Sequence, residues 1–125
     1  MKRVVLASAI GLAASLALAQ VPEPAKVADT AKGKVLADAR GMTLYTFDRD
    51  TGEASNCTGQ CAQNWPPLLA PTDAKPSGNW TIVTRQDGGK QWAYKGKPLY
   101  GWAKDGKPGD TTGDGVNNVW HVATP

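Results

Sequence analysis

The chain has 125 residues, a formal net charge of +3, two cysteines and one histidine. That length suits one small domain with a modest core. The balance of charge is too mild, and too evenly scattered beyond Lys2 and Arg3, for a nucleic-acid partner. One histidine leaves general acid–base work to carboxylates. No Gly-x-Ser-x-Gly elbow, P-loop or His-Glu-x-x-His motif is present.

Residues 1–19 read as a signal peptide. Lys2 and Arg3 precede an apolar run from Val4 to Leu18, and Ala17-Leu18-Ala19 fits the small-x-small rule for cleavage before Gln20. The run is shorter than the roughly 20 residues that span a bilayer, and Pro22 and Pro24 follow it. The expectation is a periplasmic or secreted bacterial protein with no stable membrane anchor after cleavage. Residues 20–125 then form a single β domain.

Taken in chain order, two segments of this domain echo each other. Residues 25–70 align without a gap on 80–125, setting Gly41 on Gly96, Tyr45 on Tyr100, Asp50 on Asp105 and Trp65 on Trp120. In each copy a hairpin is predicted. Val35–Ala39 and Thr43–Phe47 flank Gly41, and Lys90–Tyr94 and Pro98–Trp102 flank Gly96, with glycine supplying positive φ. Thr81–Arg85 and Asn118–Val122 read as further strands. Asn64-Trp65-Pro66-Pro67 is held to an edge or to extended coil by its prolines. Asn56–Asn64 suits one helical turn capped by Ser55 or Asn56. The fold class is all-β: two duplicated hairpin units in a small pseudo-twofold sandwich or partly closed barrel.

The candidate site residues fall in three groups. Tyr45, Phe47 and Asp50 with Trp65, and Tyr100, Trp102 and Asp105 with Trp120, repeat at the same spacing. Aromatics two apart on a strand share a face, and an acid just beyond the strand can tie down a turn, so they read as core and framework. The other reading is two equivalent Tyr–Asp ligand sites. Cys57 and Cys61 are expected to form a disulfide in an oxidising compartment. In the alternative reading, Cys57, Cys61 and His121 hold copper, with Met42 as an added soft ligand, or run thiol-redox chemistry. The acidic loops Asp48–Glu53 and Asp110–Gly115 lack the full spacing of a calcium loop. The tryptophans could include a sugar-stacking platform, although the core also needs them.

Together these motifs resemble the bacterial secreted-repeat family of predicted lipoproteins with a Tyr-x-(Phe/Trp/Tyr)-x-x-Asp motif. The matching residues run from Leu44 to Asp50, Asn56 to Cys61, Asn64 to Leu68, Lys97 to Asp105, Pro108 to Asp110 and Gly115 to Trp120. The resemblance implies an exported repeat protein and no settled activity. The chain departs from the lipoprotein pattern in having no cysteine at the cleavage point. The functional expectation is a non-enzymatic binding or envelope-associated domain whose partner is an envelope protein, a small molecule or a glycan. The alternatives are the copper or thiol-redox protein and a carboxylate-based hydrolase.

Overall fold

The structure is a computed structural model and describes residues 24–52 and 54–125. The expected signal segment 1–19 and Glu53 of the first acidic loop lie outside the described residues. Among the described residues, seven short strands make three small antiparallel sheets. Strands β1 (Lys26–Thr30) and β2 (Gly33–Ala37) form the first, β3 (Tyr45–Phe47) and β7 (Trp120–Val122) the second, and β4 (Trp80–Thr84), β5 (Lys90–Tyr94) and β6 (Lys97–Pro98) the third. Among the described residues one short helix, α1 (Gln60–Asn64), follows the first cysteine, and a 3-10 turn at Val116–Asn118 leads into β7. No helix among the described residues is long and apolar enough to cross a membrane.

Local chemistry explains the turns. The β5–β6 hairpin closes over Lys95 and Gly96, both at positive φ (51° and 83°), as a two-residue turn matched to strand twist demands. Gly41, at φ 89°, lies in a longer connection in which Asp38 N–H donates to Met42 O and an Ala37–Thr43 bridge closes the loop. Both glycines thus sit in turns between antiparallel segments, as predicted. Residues 64–69 carry only isolated bridges, Pro67 to Tyr100 and Leu69 to Gln91, because Pro66 and Pro67 have no N–H to donate to a ladder.

Backbone bonds between sheets come in matched sets. Tyr45 and Tyr100 exchange both of theirs, Tyr45 N–H to Tyr100 O at 2.7 Å and Tyr100 N–H to Tyr45 O at 3.0 Å. Leu68 N–H donates to Leu99 O at 2.9 Å, and Ala123 N–H to Leu44 O at 2.8 Å. Ala103 N–H donates to Asn64 O at 2.9 Å, and Asp48 N–H to Val119 O at 2.8 Å. In each set the two donors stand fifty-five residues apart, and so do the two acceptors. On β2 the match slips by one residue: Leu36 N–H to Ala123 O is answered by Trp92 N–H to Leu68 O, both 2.8 Å. The Gly41 connection is one residue longer than the Gly96 turn, so Gly33 and Gly88 do not occupy like positions. Gly33 closes the β1–β2 turn opposite Thr30, whereas Gly88 lies in the β4–β5 loop.

Two buried clusters form the core. Leu44 and Leu99 belong to one, with Ala25, Leu36, Trp80 and Ala123. Their neighbours Tyr45 and Tyr100 belong to the other, with Cys57, Trp65 and Trp120. Successive residues of an extended chain face opposite ways, so each Leu-Tyr pair feeds both clusters.

Candidate functional site

The repeated motif residues meet across the two halves of the chain. Tyr45 Oη donates to Asp105 Oδ2 at 2.6 Å, and Tyr100 Oη donates to Asp50 Oδ2 at 2.7 Å. Each tyrosine therefore bonds the acid of the other motif copy. Both acids also hold a loop. Asp50 Oδ1 accepts Asn56 N–H at 2.7 Å, and Asp105 Oδ1 accepts the N–H and hydroxyl of Thr112 at 3.0 and 2.7 Å. Gly113 N–H donates to Tyr45 Oη at 3.2 Å.

Beneath these bonds lies a continuous ring stack. Phe47 stacks on Trp120 (4.1 Å between centroids), Trp120 on Trp65 (3.8 Å), and Trp65 on Trp102 (3.9 Å). Tyr45 meets Trp65 edge-on at 5.5 Å, and Tyr100 meets Trp120 likewise at 5.2 Å. Gly113 packs so closely on this stack that an added Cβ would lie 2.9 Å from both Trp65 and Tyr45.

On one side the network extends inward. Arg85 is 3% exposed. Its guanidinium donates to Ser55 Oγ (3.1 Å), Gln91 Oε1 (2.9 Å) and Cys57 O (2.9 Å), and pairs with Asp87 at 3.3 Å. Tyr100 spends its one proton on Asp50, so Ser55 must donate the 2.7 Å bond to Tyr100. Donation thus runs from Arg85 through Ser55 and Tyr100 to Asp50. Burial raises both tyrosine pKa values far above the ordinary phenol range, helped by the facing carboxylates. Burial also raises the Asp50 pKa, while the Asn56 N–H, the Tyr100 hydroxyl and Arg85 pull it back down. These are protonated, occupied phenols rather than nucleophiles.

Removing one latch has a defined cost. A Tyr45→Phe variant keeps the ring but leaves Asp105, itself 8% exposed, short of a charge-assisted bond. The expected loss is about 1.5–3 kcal/mol in denaturant unfolding. A variant as stable as the parent would show that the bond contributes nothing.

The other candidates lie elsewhere. Cys57 and Cys61 are joined in a disulfide. Closing so short a loop contributes roughly 2 kcal/mol or less. Helix α1 is N-capped by Gly59 rather than by Ser55 or Asn56, which are engaged with Tyr100 and Asp50. His121 Nε2 sits 2.8 Å from Asp48 Oδ2 on β7. The copper set is therefore not assembled: its sulfurs bond each other, and no group of three or more His, Cys, Asp or Glu side chains among the described residues is placed to hold a metal. The second acidic loop is closed by ordinary turn bonds. Asp110 accepts Gly106 and Lys107 N–H, and Asp114 accepts Val122 N–H.

Sequence reasoning missed Arg85, Ser55 and Gly113. Arg85 ends a β-branched run and reads as an exposed strand end; nothing local announces its burial. It also left undivided the aromatics of β4 and β5. Trp80 stands opposite Tyr94, and Ile82 opposite Trp92, so these side chains share a face. Trp80, Trp92 and Tyr94 line an open groove of about 680 Å³, shared with Lys26 and Val27 of β1 and with Lys75 and Asn79.

A family model described as "Secreted repeat of unknown function" matches residues 26–69 and again 81–124. The chain belongs to this secreted repeat family. It is accordingly a secreted or periplasmic bacterial protein, of unknown ligand. No curated protein and no solved structure gave a match.

Proposed function

We propose that this secreted repeat protein is a non-enzymatic binding domain of the bacterial envelope, in which the motif residues are framework and the groove beside Trp92 is the ligand face. In this reading residues 1–19 are removed on export, and the rest is one domain of two hairpin units related by a pseudo-twofold axis. The observation that carries it is the reciprocal latch. Tyr45, Asp50, Tyr100 and Asp105 spend their polar groups on one another and on loops. The axis would pass between Tyr45 and Tyr100 and between Trp65 and Trp120, the middle of the ring stack.

The ligand face in this reading lies where the halves differ. By the backbone bonds, Trp80, Trp92 and Tyr94 stand where the first half has Ala25, Leu36 and Asp38. These three aromatics are not demanded by the repeat, and they gather on one open groove. Its volume lies within the span of about 300–1,000 Å³ common for ligand clefts.

The test compares the parent and Trp92→Ala on glycan and peptide arrays, with unfolding curves to confirm that both fold. The expected result is retention of at least one ligand class by the parent and a tenfold or greater loss in the variant. No retention on either array, or retention indifferent to Trp92, would remove the groove from consideration as a binding face.

A further inference from the structure

We infer that the groove takes an acidic polysaccharide segment, with sugar rings laid on Trp92 and Tyr94 and carboxylates met by lysines. This inference rests on the binding-domain reading above and deepens it. The aromatic wall has the required form. Trp92 and Tyr94 are two apart on β5 and partly exposed, while Trp80, beside them on β4, is buried and packs on both. Trp80 meets Trp92 edge-on at 6.2 Å and Tyr94 at 4.8 Å with a 51° tilt. Half-buried rings held by a neighbouring buried ring are pre-ordered and lose little freedom when a flat apolar face is laid on them.

Charge narrows the ligand. The groove is lined by Lys26 and Lys75 and by no acidic residue among those described. A third cation, Lys95, stands 5.3 Å over the Tyr94 ring. All three lysines are exposed, and among the described residues none is in an ion pair, unlike Lys32, Lys34 and Lys107. Three ammonium groups with no ion pair among the described residues stand around an aromatic surface, where they attract an anion and repel a cationic chain. Asn79 and Ser77 on the rim add the amide and hydroxyl that sugar hydroxyls require. A single-stranded nucleic acid shares part of this chemistry, but the chain belongs to a secreted family.

The deciding experiment titrates the protein with a galacturonate hexamer, followed by tryptophan fluorescence and calorimetry. Its fully methyl-esterified, uncharged counterpart and a hexathymidylate serve as comparison probes. The acidic hexamer should bind at least tenfold more tightly than the ester and more tightly than the oligonucleotide. Trp92→Ala should weaken it tenfold or more, with Trp92→Phe restoring part of the loss. The Lys26→Gln/Lys75→Gln double variant should weaken it about tenfold and flatten its salt dependence. Failure of the acidic hexamer to bind, equal binding of the ester, tighter binding of the oligonucleotide or indifference to the lysines would each overturn the inference. Trp92-dependent binding of the ester alone would overturn acidity while leaving the binding-domain reading standing.

Discussion

Replacing Trp65 by alanine is expected to lower the unfolding free energy by about 3–5 kcal/mol. Trp65 is 5% exposed and sits between two stacked rings, with a third edge-on. Its removal deletes a large apolar side chain and leaves a cavity that Trp120 and Trp102 cannot fill without breaking their own contacts. Small domains hold only about 5–15 kcal/mol in all, so the variant should be unfolded in part at physiological temperature. Guanidinium unfolding of Trp65→Ala and Trp102→Ala together makes the test specific. Trp102 ends the stack and is partly exposed, so its loss should cost clearly less. Equal costs would show that the stack does not act as a continuous core.

Arg85→Leu should be nearly as severe, at about 3 kcal/mol, although leucine suits a buried site. The substitution orphans Gln91 Oε1 and Cys57 O, both on fully buried residues, and each unpaired acceptor costs roughly 1–3 kcal/mol. It also changes the pH dependence. Asp50 has a raised pKa in the folded chain, and Arg85 is one of the causes that restrain the rise. A raised carboxyl pKa contributes stability that is present below the unfolded value and is lost as pH climbs through the folded one. Without Arg85 the folded value rises further, so the gap between variant and parent should widen from pH 4 to pH 7. Urea unfolding at both pH values checks this. A gap that narrows with rising pH would separate Arg85 from the Asp50 network.

Turns and strands were legible because their causes are local. Gly41 and Gly96 sit in hairpin connections since the chain needs positive φ there. Pro66 and Pro67 keep residues 64–69 out of a ladder for want of N–H groups. The disulfide followed from two cysteines close in sequence in an exported chain. The expected helix cap failed because Ser55 and Asn56 have the right chemistry for a cap, but Tyr100 takes the Ser55 hydroxyl and the Asn56 side-chain amide donates to Arg49 O. The ungapped repeat failed on β2 because one connection carries an extra residue, and insertions at loop tips leave flanking hydrogen bonds in place.

The sequence by itself determined that this is a β protein of a secreted repeat family with a repeated Tyr-aromatic-Asp motif, since turn preference and strand alternation act over a few residues. Only the tertiary structure decided which tyrosine meets which acid, that four rings form one stack, and that Arg85 is buried. Tyr45 lies 60 residues from Asp105, Tyr100 lies 50 from Asp50, Phe47 lies 73 from Trp120 and Arg85 lies 30 from Ser55. Pairing at that range is chosen by how the packed sheets exclude water and satisfy each buried polar group. The same packing set Trp92 and Tyr94 against the Leu44–Leu99 cluster and left part of each ring on an open groove.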